Sequence, residues 1–226
     1  MAQMPGSILF DLDGTLTDPF TGITNSLRHA LTTMGMEPPP AQELRRYIGP
    51  PLQATFLEIL GDEGRAADAL GHYRHRYGEV GKFENELIPD IVDALEVLSD
   101  RGYELFVATS KLETYSRDIV DHFGLARFFR TVHGSALDGS RADKGELIRH
   151  ILDAEGLDPS RTVMIGDRLH DAHGAAKNDV KAIGVLWGFG DRGELEDAGV
   201  ASIAASPAEL PEMVSGMLGP ARALNP

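Results

Sequence analysis

The sequence predicts an α/β fold in which helices cover both faces of a doubly wound parallel sheet. From Pro89 onward, short apolar runs typical of buried strands alternate with segments whose apolar residues recur every three or four positions. Between about 17 and 86 only helix-like patterns occur. The alternation favours parallel strands joined by helices. We therefore expect an α/β core domain of residues 1–16 and 87–226, interrupted by a helical domain of residues 17–86.

The order of the elements follows from apolar spacing and from the residues that end each run. Glycine follows several helix-like segments, as at Gly35, Gly102 and Gly124, and three prolines follow the first of them. In chain order we expect a strand at 8–10, helices at 23–34 and 52–60, a helix-compatible stretch at 62–81, a helix at 91–98, a strand at 103–108, a helix near 119–123, a strand at 128–132, a helix near 147–152, a strand at 162–165, a helix at 171–178, a strand at 182–186, and a last strand and helix at 201–204 and 207–218.

The composition restricts the possible functions. The chain has 226 residues, no cysteine and a formal net charge of −14. The absence of cysteine excludes disulfides, thiolate zinc sites and cysteine nucleophiles, and the negative charge argues against nucleic acid or an anionic membrane as partner. No apolar run approaches the ~20 residues of a membrane span, and residues 1–10 lack a secretory signal pattern. We therefore expect a cytoplasmic protein that is a monomer or a homodimer.

The first predicted strand ends in two aspartates, Asp11 and Asp13. Side chains two residues apart in extended backbone point the same way, so both carboxylates would stand at the carboxyl end of the strand, where open α/β sheets bind ligands. Neighbouring carboxylates repel unless a proton or a cation lies between them. Since Gly14 directly follows Asp13, the spacing does not fit an EF-hand calcium loop. The chain must therefore supply a metal, a lysine, or both.

Two further segments carry polar residues where a strand ends or a helix begins. Thr109 and Ser110 follow the strand at 103–108, and they could cap the next helix or hold a phosphoryl oxygen with a hydroxyl and backbone N–H groups. Lys144 lies in the first turn of a predicted helix, where the helix dipole disfavours a cation. It is either a solvated surface lysine or the partner of a carboxylate or a substrate charge.

Asp167 and Asp171 follow the strand at 162–165. Together with the first pair they give four aspartates against one lysine, an excess that a hard divalent cation with oxygen ligands would offset, and Mg²⁺ fits best. His170 and His173 flank this loop, and we expect them at the surface or in support of the ligands.

These motifs, in this order and with a helical insert after the first, resemble the haloacid dehalogenase-like hydrolase superfamily of phosphatases with a small helical cap. The resemblance covers nearly the whole chain and rests on Asp11-Leu12-Asp13-Gly14-Thr15, Thr109, Lys144 and Gly166-Asp167-x-x-x-Asp171. Flanking segments resemble the phosphoglycolate phosphatase-like branch, which also contains 5′-nucleotidase-like proteins: Asp18-Pro19, Gly22-Ile23-Thr24, Ile48-Gly49-Pro50-Pro51-Leu52, Gly134-Ser135, Leu137-Asp138-Gly139 and Gly184-Val185-Leu186-Trp187-Gly188. Leu112 departs from the family pattern, since many relatives have a proline directly after the lysine that corresponds to Lys111.

The resemblance implies a role for each aspartate. Asp11 would attack phosphorus and form an aspartyl-phosphate, and Asp13 would protonate the leaving alcohol and then activate water. The carboxylates of Asp11 and Asp167 and the backbone carbonyl of Asp13 would bind Mg²⁺. Asp171 would position the lysine or a metal-bound water. An acid at position 13 also separates this chain from the dehalogenases of the family.

The resemblance implies substrate contacts as well. Thr109 and the Ser110 N–H would hold phosphoryl oxygens, and Lys144 would balance the phosphoryl charge and orient Asp11. The helical domain would act as a lid over a small phosphorylated metabolite. Arg45 and Arg46 are candidate substrate contacts of that cap, although an ordinary surface role fits them equally well.

The sequence therefore predicts a Mg²⁺-dependent phosphatase for a small phosphate monoester, either a phosphoglycolate-like metabolite or a nucleoside monophosphate. One alternative is a β-phosphoglucomutase-like sugar phosphomutase, which uses the same aspartyl-phosphate but returns the phosphoryl group to a sugar. Another is a non-enzymatic phospho-receiver module, which also has acidic strand ends and a lysine. The helical insert and Asp13 speak against that second alternative.

Overall fold

A computed structural model describes residues 6–219 of the chain. The chain forms two compact units, one that runs up to Thr17 and resumes at Leu87, and one formed by Asp18–Glu86. We call the first the core unit and the second the helical unit.

The core unit is built on a parallel sheet, so the predicted α/β fold class is confirmed. The strands are β1 (Ser7–Phe10), β2 (Thr17–Asp18), β3 (Glu86–Leu87), β4 (Glu104–Leu112), β5 (Phe129–Ser135), β6 (Thr162–Gly166), β7 (Lys181–Val185) and β8 (Ser202–Ala204). Six of them form one sheet in the order β5-β4-β1-β6-β7-β8 with parallel pairing between neighbours. Strands β2 and β3 form a separate two-stranded sheet.

The helices alternate with the strands in the core unit and make up the helical unit. They are α1 (Phe20–Thr33), α2 (Leu52–Leu60), α3 (Glu63–Glu79), α4 (Ile91–Asp100), α5 (Glu113–His122), α6 (Lys144–Glu155), α7 (Leu169–Ala176), α8 (Arg192–Asp197) and α9 (Leu210–Leu218), and the helical unit also has 3-10 helices at Ala41–Tyr47 and Gly81–Phe83. None of the helices within residues 6–219 combines the length and the apolar character that a membrane span requires.

Strand β1 lies in the middle of the sheet and contributes to the core on both faces. Since successive side chains of a strand point to opposite faces, Ile8 and Phe10 join a cluster that includes Leu95 of α4, while Leu9 joins a second cluster that includes Ile151 of α6. The side chains of Ile8, Leu9 and Phe10 are completely buried. The apolar run that precedes Asp11 is therefore the central strand of a two-sided core.

The register of the sheet determines which residues share its carboxyl edge. Phe10 is paired with Val107 of β4 on one side and with Ile165 of β6 on the other. The residues that follow these positions therefore leave the sheet at the same edge. This brings the loops that begin at Asp11 and Asp167 next to each other.

Two details differ from the sequence-based expectations. Strand β4 continues to Leu112 and pairs there with Ser135, and α5 begins only at Glu113. The interpretation of Thr109 and Ser110 as a helix cap is therefore wrong, because both lie inside the strand. Strands β2 and β3 also lie at the ends of a stretch in which we expected no strand, since two residues are too few to produce a pattern.

Replacing Leu9 by alanine should lower the free energy of unfolding by about 2–5 kcal/mol, because the change leaves a cavity in the second core cluster. Urea denaturation followed by circular dichroism measures this. The control is Leu137→Ala, since Leu137 is 70% exposed and its truncation should change stability by no more than about 0.5 kcal/mol. Equal effects of the two substitutions would contradict the assignment of β1 as the central strand.

Candidate active site

The loop after β1 is short and internally hydrogen-bonded. The Asp11 N–H donates to the Ile165 carbonyl at 2.9 Å, which continues the pairing with β6, and the N–H groups of Leu16 and Thr17 both donate to the Leu12 carbonyl, at 2.9 and 3.0 Å. The turn includes Gly14 at a φ of 83°, which a residue with a side chain rarely adopts. The two aspartates thus project from a tightly folded loop.

Lys144 is the first residue of α6, and its side chain is buried in the site. Its Nζ donates to Asp11 Oδ1 at 2.8 Å and to the Ala108 carbonyl at 2.9 Å, and it lies 2.8 Å from Asp171 Oδ1. The alternative of a solvated surface lysine is therefore wrong. Burial lowers the pKa of the Lys144 ammonium, but the charges of Asp11 and Asp171 outweigh burial and hold this pKa above its ordinary value.

Three carboxylates converge beside this lysine. One oxygen from each of Asp11, Asp167 and Asp171 lies within 4.8 Å of the others, and all three residues are buried. Burial, followed by repulsion from Asp11 and Asp171, raises the pKa of Asp167 well above 3.8. Burial is also the largest cause that raises the pKa of Asp171, to about 6.

This group fits a hard divalent cation. Asp167 Oδ2 accepts a hydrogen bond from the Phe189 N–H at 2.7 Å, whereas Asp167 Oδ1 is buried and has no hydrogen-bond partner among the described residues. A buried carboxylate oxygen without a donor is a costly feature that a cation would remove. The donor set consists of carboxylate oxygens, which Mg²⁺ prefers. His170 and His173 are exposed and do not belong to the group.

Asp13 is held separately from the three converging carboxylates. Its Oδ2 lies 2.6 Å from Lys111 Nζ, and both side chains are largely buried. Burial raises the pKa of Asp13, and Lys111 acts in the opposite direction. The carboxylate of Asp13 therefore contacts a lysine in this structure, and the predicted metal contact of Asp13 through its backbone carbonyl stays a prediction.

Lys111 is a site residue that the sequence-based prediction of the site missed. It follows Thr109 by two residues, a spacing at which the side chains of a regular strand point the same way. The pairing of β4 with β5 is irregular between Ala108 and Leu112, so the sequence carries no clear signal for the position of Lys111.

The other residues predicted to contact substrate lie on strand β4 and in the helical unit. Thr109 is buried at the edge of the site, and its Oγ1 accepts a hydrogen bond from the Lys111 N–H at 3.3 Å. Ser110 is half-buried on the same strand. Arg45 lies in the 3-10 helix Ala41–Tyr47 of the helical unit, and its contact with substrate stays a prediction.

Comparison with known proteins agrees with this geometry. The family described as Haloacid dehalogenase-like hydrolase matches residues 8–185. A 5′-nucleotidase of Pseudomonas aeruginosa is 50% identical over 190 residues, which cover 84% of this chain and 86% of that protein. A crystal structure described as a predicted phosphatase from Clostridium acetobutylicum has a TM-score of 0.90 and 38% identity, and the match covers 95% of this chain and 100% of that one.

One similar protein carries a different name. The tyrosine-protein kinase PtkA of Mycobacterium tuberculosis is 39% identical over 188 residues, or 83% of this chain. The match spans 64% of that protein's length.

The sheet, its acidic carboxyl edge and the phosphatase relatives define the class of this protein as a phosphoric monoester hydrolase. Within that class, the chain belongs to the haloacid dehalogenase-like hydrolase family. The resemblance read from the sequence is thereby confirmed.

Mg²⁺ should stabilise the protein more strongly as the pH rises. The folded-state pKa values of Asp167 and Asp171 lie above 3.8, and that of Asp171 is about 6. The contribution of Asp171 to stability is therefore complete below about pH 4 and is lost as the pH rises through about 6 in metal-free protein, and the raised pKa of Asp167 acts in the same direction. Because Mg²⁺ binds ionised carboxylates, the increase in melting temperature on adding MgCl₂ should be small at about pH 5 and larger at about pH 8.

Differential scanning fluorimetry at the two pH values measures this increase. Asp167→Asn should abolish it, whereas Asp153→Asn, an exposed position on α6, should preserve it. A Mg²⁺-induced increase that is the same at both pH values would contradict the prediction.

Proposed function

We propose that the protein is a Mg²⁺-dependent phosphatase that hydrolyses small phosphate monoesters through an aspartyl-phosphate on Asp11. The observation that carries the proposal is the buried Lys144 ammonium, 2.8 Å from both Asp11 Oδ1 and Asp171 Oδ1, beside three converging carboxylates. Phosphoryl transfer needs mainly in-line placement and compensation of negative charge. The Lys144 ammonium beside Asp11, together with carboxylates that could hold a divalent cation, supports that chemistry.

Asp11 would be the nucleophile. Lys144 holds its Oδ1, so Oδ2 is the oxygen that we propose attacks phosphorus. The bond from phosphorus to the ester oxygen breaks, and the leaving alkoxide takes a proton from Asp13 and departs as the alcohol. A water molecule then attacks the aspartyl-phosphate and gives its proton to Asp13, which restores both carboxyl groups and releases phosphate.

The surroundings of Asp13 support its role as acid and base. Burial raises the pKa of its carboxyl group, which makes the protonated form easier to reach near neutral pH. Lys111 holds Oδ2, while Oδ1 is buried and has no hydrogen-bond partner within the part of the chain that the structure describes. We propose that Oδ1 exchanges the proton with the leaving group and with water.

Asp11, Asp167 and Asp171 would hold the Mg²⁺ ion, together with the backbone carbonyl of Asp13. When bound, the ion would offset negative charge on the carboxylates and on the transferring phosphoryl group. Asp171 would also keep Lys144 in place through their ion pair.

The remaining contacts of the phosphoryl group come from β4 and α6. We propose that the Thr109 hydroxyl and the Ser110 N–H donate to phosphoryl oxygens, while Lys144 balances their charge. Arg45 of the helical unit is the proposed contact to the rest of the substrate. These donors attract an anion locally, which a chain with a net charge of −14 requires.

The proposed substrates are small phosphorylated metabolites. The relative named 5′-nucleotidase makes nucleoside monophosphates one candidate, and the sequence resemblance makes 2-phosphoglycolate another. The acidic chain favours these over nucleic acid or membrane partners. A monomer or homodimer in the cytoplasm stays the expectation.

The relative named tyrosine-protein kinase supports a second candidate function, which is phosphoryl transfer to protein tyrosine. Incubation with γ-labelled ATP and detection of phosphotyrosine on the protein or on a tyrosine peptide tests it. Phosphotyrosine formed at a rate above that of phosphate release would favour the kinase.

Purified protein should release phosphate from 2-phosphoglycolate or a nucleoside 5′-monophosphate in a Mg²⁺-dependent manner. Asp11→Asn should lower kcat by at least about 10⁴-fold, because it removes the nucleophile, and the exposed control Asp153→Asn should keep the wild-type rate. The assay is phosphate release over a panel of monoesters, with EDTA as the metal-free control. Full activity of Asp11→Asn would refute the mechanism. In a separate incubation with β-glucose 1-phosphate, formation of glucose 6-phosphate without free phosphate would favour the phosphomutase.

Lys111→Met should lower kcat by about 10-fold to 100-fold with little change in KM, since Asp13 loses the partner that fixes its orientation. Lys181→Met is the matched control, because Lys181 is exposed at the opposite end of its strand from the carboxyl edge. Steady-state kinetics on one substrate measures both variants. A wild-type kcat in Lys111→Met would mean that the ion pair does not orient Asp13 for proton transfer.

A further inference from the structure

The segment of residues 187–190, Trp-Gly-Phe-Gly, follows β7 and contacts two loops of the candidate active site. The Trp187 Nε1–H donates to the Thr15 carbonyl at 3.1 Å, in the loop after β1. The Phe189 N–H donates to Asp167 Oδ2 at 2.7 Å, in the loop after β6. A single short segment therefore joins the loop of the proposed nucleophile to that of a proposed metal ligand.

The backbone of this segment lies against Asp167 at distances that only glycine permits. A Cβ atom on Gly188 would lie 2.4 Å from Asp167 Oδ2 and 2.5 Å from the Gly14 carbonyl oxygen, and one on Gly190 would lie 2.1 Å from the Asp167 carbonyl oxygen. Real Cβ atoms essentially never come within 3.0 Å of such atoms. Both glycines are thus required by close packing against Asp167.

The contacts of Asp167 distinguish the two oxygens of its carboxylate. Oδ2 is satisfied by the Phe189 N–H, and Oδ1 is buried without a hydrogen-bond partner among residues 6–219. The side chain is fully buried, so it has little freedom to exchange the two oxygens. One oxygen is therefore fixed by the protein, and the other is available to a cation.

We propose that residues 187–190 are a positioning element that presents Asp167 Oδ1 to the divalent cation as a single, preorganised ligand. The inference rests on the metal site of the proposed function. The segment acts through Asp167 and does not touch the reacting atoms. A ligand that is already oriented loses less conformational freedom on binding, and hydrogen bonds to metal ligands commonly change metal affinity 10-fold to 100-fold.

Gly188→Ala tests the proposal without any substrate. Isothermal titration calorimetry with MgCl₂ should give a Kd about 10-fold to 100-fold above the wild-type value, because the added methyl group displaces the Asp167 carboxylate. The matched control is Gly216→Ala on α9, where a Cβ meets no atom within 4 Å, and its Kd should equal that of wild type. A wild-type Kd in Gly188→Ala would overturn the proposal.

Trp187→Phe provides a second test that keeps an aromatic side chain at this position and removes the N–H donor together with part of the indole ring. It should weaken Mg²⁺ binding severalfold, and kcat at saturating Mg²⁺ should return to within about twofold of wild type, which a general loss of folding would not allow. If Gly188→Ala fails to fold by circular dichroism, this variant decides alone, and an unchanged Kd would overturn the proposal.

Trp187 is the sole tryptophan of the chain, so its fluorescence should change on Mg²⁺ addition with the Kd found by calorimetry. Wild-type protein that binds Mg²⁺ but releases no phosphate would refute the proposed function and leave this inference standing. Wild-type protein that binds no Mg²⁺ would overturn the inference.

Discussion

The buried ion pairs of Lys144 are the interaction on which the candidate active site depends. Asp11, Asp167 and Asp171 are removed from water within a few ångströms of one another, and like charges at such distances repel strongly when burial lowers the local dielectric. The Lys144 ammonium lies 2.8 Å from two of these residues and offsets part of their charge. Burial is the largest cause that raises the pKa values of Asp167 and Asp171, and repulsion from neighbouring carboxylates adds to it. A divalent cation held by these carboxylates, as we propose, would offset the remaining negative charge.

The position of Lys144 is itself the result of close helix packing. Its helix begins with an Asp143 cap that accepts the Glu146 N–H at 3.0 Å, so the helix can begin with a cation despite the unfavourable dipole. Asn178 then links α6 to α7, since its Nδ2 donates to the carbonyls of Gly145 and Gly174 at 2.9 Å each. The first turn of α6 is thereby held next to the helix that carries Asp171.

Sequence patterns were sufficient to predict which residues lie at the strand ends. They were not sufficient to predict which side chains contact one another there. The positions of Asp11 and Asp167 follow from period and composition, because an apolar run that ends in polar residues places those residues at the edge of a parallel sheet. The burial of Lys144 could not be predicted from its own helix, where a surface lysine fits the local pattern equally well. It depends on the packing of α6 against α7, which brings together residues far apart in the sequence.

The same limit explains the error at β4 and why the contacts of the segment after β7 were not predicted. The N-cap interpretation of Thr109 was based on local preference, but pairing with β5 extends the strand to Leu112 and turns Lys111 toward Asp13. The segment at 187–190 resembles an ordinary loop, since its contacts with Thr15 and Asp167 join residues 172 and 22 positions apart. Neither its hydrogen bonds nor its close approach has a local signature in the sequence.

Long-range contacts of this kind give different properties to Asp11 and Asp13, which are two residues of the same type in one motif. Both leave the same strand end two residues apart, yet Lys144 of α6 bonds the first and Lys111 of β4 pairs with the second. The first also belongs to the group of carboxylates suited to a cation, and the second does not. Burial raises the pKa of Asp13, which suits this carboxyl group to hold and release a proton. Asp11 is instead oriented by the Lys144 ammonium, which lies 2.8 Å from its Oδ1. The division between nucleophile and acid that we propose therefore arises from the two lysines and the candidate metal site around the motif, because the motif alone supplies two chemically identical groups.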